Sequence, residues 1–369
     1  MELSINVGYF GPHISDDHDL LKKIDSLGYS CIWTAEAYGY DAVTPLAYFA
    51  AVTENIQIGS GIMQIPGRTP AMTAMSAITL DKLSKGRFRL GLGVSGPQVV
   101  EGWHGQPYTK PLARTREYIT IIREIIKRER KVEFDGEFFN LPYKGPGSLN
   151  LGKPLKLIEP PIREDIPIYL AAIGPKNIEL AAEIADGWLP FMYSPTKGDE
   201  VFDEFLSKGF EKSSNPKKRS EFNIVASVFA RLCEADEVED FLKPARTTYT
   251  LYVGGMGAKD KNFYYNLMCN YGYEDLASEI QNLYLDGKKQ EAEELFPEEL
   301  LNDLTLVGTK DDIEKKFNKQ KEWAKEGIRV PSQYEDGTQV FKTQEEFRAF
   351  SLGRRAYFLY HLVLNYKFT

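Results

Sequence analysis

Hydrophobic and polar positions alternate between two periods along this chain, and the change from one to the other recurs. From Ile56 to Gly96 the residues read IQIGSGIMQIPGRTPAMTAMSAITLDKLSKGRFRLGLGVSG. Ile56 to Ile62 alternates apolar with small or polar residues, as a buried strand under close approach does. Pro70 to Leu83 carries apolar and small residues at helical spacing and stops at Lys85-Gly86. Phe88 to Leu92 is a second apolar strand that runs into glycines. Strand, helix, strand over roughly forty residues is a βαβ unit, which requires its strands to lie parallel.

The same alternation extends in both directions. Leu3 to Tyr9 reads as a strand, Asp16 to Leu27 as a helix ended by Gly28, and Tyr29 to Thr34 as the next buried strand. Pro45 to Glu54 is helical. A long amphipathic helix covers about Ala113 to Lys127, followed by a Gly/Pro-rich excursion from Gly136 to Gly152. Ile166 to Ala172 is a strand, Lys176 to Ala185 a helix, Asp186 to Phe191 a short strand, Val201 to Lys208 a helix and Phe222 to Leu232 a long strand. The run from Thr248 turns aromatic and irregular, then helical and acidic to Leu295. Leu304 to Val307 precedes an N-cap at Thr309 and a charged helix to Glu326. This order predicts a (β/α)8 TIM-type barrel rather than an open sheet. The barrel is expected over residues 1–327, with a C-terminal extension over 328–369. Ile328-Arg329-Val330 sits where an eighth strand belongs, but Pro331 halts it. The extension offers a capping box at Thr343 to Glu346 and an aromatic, helix-like run to Tyr366.

Composition narrows the field without naming a function. The 369 residues are 43% hydrophobic and 27% charged, enough for a sizeable core. A formal charge of -8 argues against nucleic acid as the main partner. Cys31, Cys233 and Cys269 lie far apart, with no spacing that suggests zinc, and Cys31 and Cys233 read as buried thiols. No apolar run spans a bilayer and no leader precedes the first strand, so a cytoplasmic protein with no membrane partner is expected.

Several motifs compete for chemistry. Gly91-Leu92-Gly93-Val94-Ser95-Gly96 matches the dinucleotide fingerprint, yet Pro97 and a bulky aromatic loop follow where a helix should open. A glycine-lined floor, on which backbone closely approaches a flat ligand, explains it better. Gly174-Pro175-Lys176-Asn177 follows a strand ending in Ala171 and Ala172. Its proline at the first helical position opens either an anion site or an ordinary helix. Glu36 ends the second strand, on the side where parallel barrels keep their active sites. In the loop from Pro97 to Pro111, His104 stands beside Trp103 and Glu101, where a histidine serves either chemistry or packing. His13 is a weaker candidate, and His18 and His361 read as surface or packing residues.

With these residues on the page, the chain resembles the bacterial-luciferase-like flavin and deazaflavin oxidoreductases, closest to their coenzyme F420-dependent branch. The likeness rests on WTAEAYGYDA (Trp33 to Ala42), IGSGIMQIPGRTPAMTAMSA (Ile58 to Ala77), GRFRLGLGVSGPQVVEGWHGQPYTKPLARTREY (Gly86 to Tyr118), YLAAIGPKNIELAAEIADGWLP (Tyr169 to Pro190) and LYVGGMGAKDKNFYYNL (Leu251 to Leu267). It implies a barrel that holds a tricyclic ring at its C-terminal mouth. Ser60, Gly61, Ile62, Ser95 and Gly96 would line the ring, and the phosphate would rest on Ala172, Ile173, Gly174 and Pro175. It also implies a cis peptide at Gly61-Ile62 that backs the ring. Relatives carry an acid-histidine pair after strand two; here Glu36 keeps the acid and Ala37 replaces the histidine. An acid expected after strand four appears as Pro97. Any proton-transfer role therefore shifts to Glu36, Glu101 or His104.

The expectation is a coenzyme F420-dependent oxidoreductase that passes a hydride between the deazaflavin and a small organic substrate, with no metal and with a homodimer as the family's habit. An FMN-dependent monooxygenase is the alternative, since both cofactors end their ribityl chain in phosphate. A flavin- or deazaflavin-binding protein without catalysis is the third reading.

Overall fold

The computed structural model describes residues 2–7, 18–215, 218–257, 259, 261–316 and 360–367. His13, Ile328-Arg329-Val330 and the capping box at Thr343 lie outside the described residues. The chain divides into two compact units. One holds Val7–Ala172 and Leu180–Leu189; the other holds Met1–Asn6, Ile173–Glu179 and Pro190–Thr369.

The unit that includes Val7–Ala172 is a wholly parallel sheet with helices between its strands. Its strands are β2 (Cys31–Thr34), β3 (Gln57–Ser60), β4 (Met63–Gln64), β5 (Phe88–Gly93), β8 (Ile168–Ala171) and β9 (Gly187–Leu189). β2, β3, β5, β8 and β9 pair in that order, and β4 pairs with β5. Ile32, Trp33, Ile58, Leu90, Leu92, Ile168 and Leu170 are buried, as strands covered on both faces must be. The helices are α1 (His18–Ser26), α2 (Val43–Val52), α3 (Pro70–Leu83), a short α4 (Pro97–Gly102) and α5 (Pro111–Lys127). α3 starts where the Thr69 hydroxyl accepts the Met72 amide at 3.2 Å, with Pro70 in the first turn. α5 buries Ile119, Ile121, Ile122 and Ile126 on one stripe. A two-stranded hairpin, β6 (Phe134–Asp135) and β7 (Asn140–Leu141), stands in the Gly/Pro-rich excursion.

Glycine sets the spacing of these strands. A Cβ on Gly91 would lie 1.9 Å from the Ser60 carbonyl oxygen, and one on Gly59 would lie 2.5 Å from the Trp33 ring. Gly91 therefore admits the neighbouring strand, and Gly59 the Trp33 ring.

The other unit mixes directions. β1 (Glu2–Asn6), β10 (Asn223–Leu232), β11 (Thr305–Gly308) and β12 (Tyr360–Lys367) pair in the order β11-β10-β12-β1. β10 and β11 are parallel; β12 is antiparallel to both β1 and β10. Of the run to Tyr366, expected as helix-like, the described part from residue 360 is thus a strand. Leu362, Leu364 and Tyr366 recur at every second residue, a strand period hidden by the aromatic composition. The helical part of α6 (Pro175–Ile184) up to Glu179 belongs here, followed by α7 (Gly198–Lys212).

The first part of the segment expected as irregular, Thr248 to Gly255, lies inside α9 (Val238–Gly255). Cβ atoms on Gly254 and Gly255 would meet the Tyr284 ring at 2.5 and 2.6 Å. That pair of glycines lets α9 pack against α11 (Glu274–Leu285). Tyr249 of α9 is buried against Phe191, Phe229 and Phe296, and its hydroxyl donates to the Leu304 carbonyl at 3.0 Å. Cys31 is buried, whereas Cys233 and Cys269 are half-buried; all are free thiols.

Candidate active site

The corner between β3 and β4 is laced to the end of β2. The Gly61 amide donates to the Thr34 carbonyl at 2.7 Å, and the Glu36 amide donates to the Ile62 carbonyl at 3.0 Å. The Gly61–Ile62 peptide between them is cis. The Ser60 hydroxyl accepts the Gly91 amide and donates to the Gly91 carbonyl, both at 2.9 Å. The whole residue is buried, and its hydroxyl serves the pairing of β3 with β5. Ile62 leans on Gly93, where a Cβ would come within 3.0 Å of it.

Glu36 follows β2 and is buried, with both carboxylate oxygens engaged. Oε2 accepts the Ala42 amide at 3.0 Å; Oε1 accepts the Gln64 amide at 2.8 Å and pairs with the Arg68 guanidinium. The Arg68 side chain is 18% exposed, so this ion pair sits largely out of water. Backbone carbonyls of Arg68 and Thr69 accept from the Tyr118 hydroxyl at 3.2 and 3.5 Å. Burial pushes the Tyr118 phenol up to about 12, which keeps it a donor at neutral pH. Of the roughly four acceptor positions of a carboxylate, three are thus taken up by the chain itself.

Gln64 joins this carboxylate to a histidine. Its Nε2 donates to the Ala37 carbonyl at 2.5 Å, and its Oε1 lies 3.1 Å from His104 Nε2. Gln64 is 2% exposed, while His104 is half-buried. The His104 ring lies over Gly67, whose missing side chain leaves the space; a Cβ there would come 3.2 Å from Cε1. Of the sequence candidates, Glu36 and His104 are therefore brought together, through a residue that sequence reasoning passes over. Gln64 and Arg68 leave only a faint signal: two long polar side chains four apart, inside a stretch of small and apolar residues.

Glu101 stays outside this group. It is exposed, and its Oε1 accepts the Tyr108 amide at 3.4 Å, which ties down the loop that carries His104. Trp103 is 66% exposed. Ser95 takes a left-handed conformation with φ of 61°, and the Gly96 carbonyl then starts α4 by accepting the Val99 and Val100 amides. The Ala172 carbonyl accepts Trp188 Nε1 at 2.8 Å.

In the other unit, the Gly174 carbonyl accepts the Asn177 and Ile178 amides at 2.9 and 3.0 Å and so opens α6. Pro175 supplies the preset φ of the first turn. Pro175 brings no N–H, so in this turn it is the Lys176 amide that lacks a partner within the helix, and the dipole is positive there. A Cβ on Gly174 would meet the Phe263 ring at 3.0 Å, so the glycine makes room for that ring. A positive helix end of this kind fits a phosphate monoester.

Among the described residues, no group of histidine, cysteine, aspartate and glutamate is arranged to hold a metal ion, and no helix is long and apolar enough to cross a membrane. Residues 4–326 match the model of the luciferase-like monooxygenase family. A Mycobacterium tuberculosis protein provisionally named a coenzyme F420-dependent oxidoreductase is 44% identical over 318 residues, which is 86% of this chain and 91% of that protein. Among solved structures, the coenzyme F420-dependent tetrahydromethanopterin reductase from Methanopyrus kandleri superposes with a TM-score of 0.70 at 20% identity, covering 88% of this chain and 91% of that one. An F420-dependent secondary alcohol dehydrogenase superposes with a TM-score of 0.67 at 15% identity, covering the same 88% of this chain and 91% of its own. This chain belongs to the luciferase-like monooxygenase family and is an oxidoreductase of that family.

Proposed function

We propose that this protein is a coenzyme F420-dependent oxidoreductase that passes a hydride between the deazaflavin and a small organic substrate, on a barrel of the TIM type to which β12, beyond residue 327, also contributes a strand. The observation that carries the reading is the similarity to the M. tuberculosis protein along nearly the whole length of both chains. The bound deazaflavin supplies the hydride chemistry. In this reading the chain orients the ring with the backbone at Ser60, Gly61 and Ile62 and at Ser95 and Gly96. Ala172, Ile173 and Gly174 offer the phosphate their backbone amides, and Pro175 begins the helix whose dipole is positive at that end. Glu36 contributes a fixed charge that is already balanced by Arg68. Glu101 keeps the loop of Trp103 and His104 in place.

Titration of the purified protein with F420 and with FMN, followed by fluorescence, tests the cofactor. Saturable binding of F420 and none of FMN is expected. Tight FMN binding with oxygen-dependent turnover would instead support a flavin monooxygenase, the reading that the family's name favours. Binding of either cofactor with no turnover across alcohols, aldehydes and enones would reduce the protein to a carrier. A cytoplasmic homodimer completes the proposal, and sedimentation at working concentration checks the dimer.

A further inference from the structure

The Gln64 side chain has one orientation open to it. Its terminal group faces the Ala37 carbonyl oxygen at 2.5 Å on one side and His104 Nε2 at 3.1 Å on the other. A carbonyl accepts only, so the atom facing Ala37 must be the NH2 group; reversing the amide would set two oxygens against each other. The oxygen is then left for His104, and it too accepts only. Nε2 of His104 must therefore be the donor, which puts the proton of the neutral ring on Nε2 and leaves Nδ1 bare. The amide cannot rotate away easily. Gln64 is almost fully buried and its own backbone amide is held by Glu36 Oε1 at 2.8 Å, while Glu36 is held in turn by Arg68.

We propose that Gln64 is a positioning residue that fixes His104 in the Nε2–H tautomer, and that Nδ1 of His104 is the chain's proton carrier. The assignment rests on the oxidoreductase reading above for its chemistry, but its geometry does not. Ala37 takes part through its carbonyl, which anchors the amide that holds His104. In substrate oxidation a C–H bond breaks with its electron pair leaving as hydride to the deazaflavin. The O–H or N–H proton on the adjacent atom passes to Nδ1, and the electron pair of that bond forms the new double bond. Reduction runs the same step backwards, with the imidazolium returning the proton from Nδ1. Glu36 serves in this scheme to hold Gln64, whose backbone amide it accepts.

The chain has four histidines, few enough for each imidazole to be resolved by 15N NMR of histidine-labelled protein. Above neutral pH, the signal that disappears in His104→Gln should show the Nε2–H pattern in the wild type. In Gln64→Met, which keeps the backbone bond to Glu36, that signal should move to an average of the two tautomers. With F420 bound, both variants should lose about 100-fold or more in kcat, with the coenzyme Kd changed by less than about threefold. A purely structural role for Gln64 would lower stability without moving the tautomer. An Nδ1–H pattern in the wild type, or the same tautomer in Gln64→Met, overturns the assignment of the proton. Wild-type kcat in His104→Gln overturns the role. The NMR arm needs no coenzyme, so absence of F420 binding would defeat the functional reading and leave the tautomer to be judged by itself.

Discussion

Replacing Glu36 by glutamine keeps the shape of the side chain and removes one acceptor and one charge. In the native protein its oxygens take the Ala42 amide at 3.0 Å, the Gln64 amide at 2.8 Å and the Arg68 guanidinium. A glutamine can turn its oxygen toward Gln64 and Arg68, but its NH2 group then faces the Ala42 N–H, donor against donor. That unmade bond costs about 1–3 kcal/mol. Loss of the carboxylate beside a mostly buried guanidinium is worth about 3–5 kcal/mol when the charge is left without any partner. Arg68 keeps a neutral acceptor and is 18% exposed, so the smaller part of that range applies. Together the two effects predict a loss of about 4–6 kcal/mol for Glu36→Gln. Urea unfolding followed by tryptophan fluorescence measures it, since Trp33 and Trp188 are both buried in the same unit. Arg68→Met and the double variant complete a cycle, in which the second change should cost about 1–3 kcal/mol less when the first is present. A Glu36→Gln protein within about 0.5 kcal/mol of wild type, or strictly additive losses, would show that the carboxylate is not the hub described above.

Gly91→Ala should fail to yield folded protein, because the added carbon falls 1.9 Å from the Ser60 carbonyl and neither backbone can retreat; Gly102→Ala, where nothing lies within 4 Å, is the matched control in a thermal melt. Asp25 accepts the Glu54, Asn55 and Ile56 amides at 2.7 to 3.1 Å. Burial acts to raise its carboxyl, yet those bonds and the Arg87 charge leave it below the usual range. A native value below the unfolded one stabilises the fold fully above about pH 4 and loses that contribution as pH falls through the native value. Urea midpoints between about pH 5 and 3 should therefore fall less steeply in Asp25→Asn than in the wild type. Gly174→Ala should melt near the wild-type temperature, since the Phe263 ring in its way is 53% exposed and free to swing. It should nevertheless weaken coenzyme binding about tenfold or more in a fluorescence titration, and unchanged affinity would remove α6 from the phosphate assignment.

Strands such as β2 and β5 are legible in sequence because both their faces are covered, which leaves runs like CIWT and FRLGLG almost free of polar residues. The opening of α6 is legible for a local reason, the order of small residues, glycine and proline. α9 is not, because its aromatic residues and paired glycines answer to Tyr284, a partner some thirty residues away whose fit no local window contains. The active-site candidates divide in the same way. Glu36 and His104 stand out by residue type and by position in loops, whereas the link between them lies in one amide of Gln64. A glutamine signals nothing until its two neighbours are known. The glycines around Gly91 were legible as a close approach, but only the position of Ser60 identifies what does the approaching.

β12 carries a consequence for how the chain is made. Residues 360–367 lie between β1 and β10 and hydrogen-bond to both. β1 thus waits for a strand translated more than three hundred and fifty residues later before the ladder between the two can form. Until then, nascent β1 offers an unpaired rim to any passing polypeptide. Removing residues 360–367 would make that interval permanent, and the shortened chain should depend on chaperones during synthesis and gather into aggregates when they are scarce.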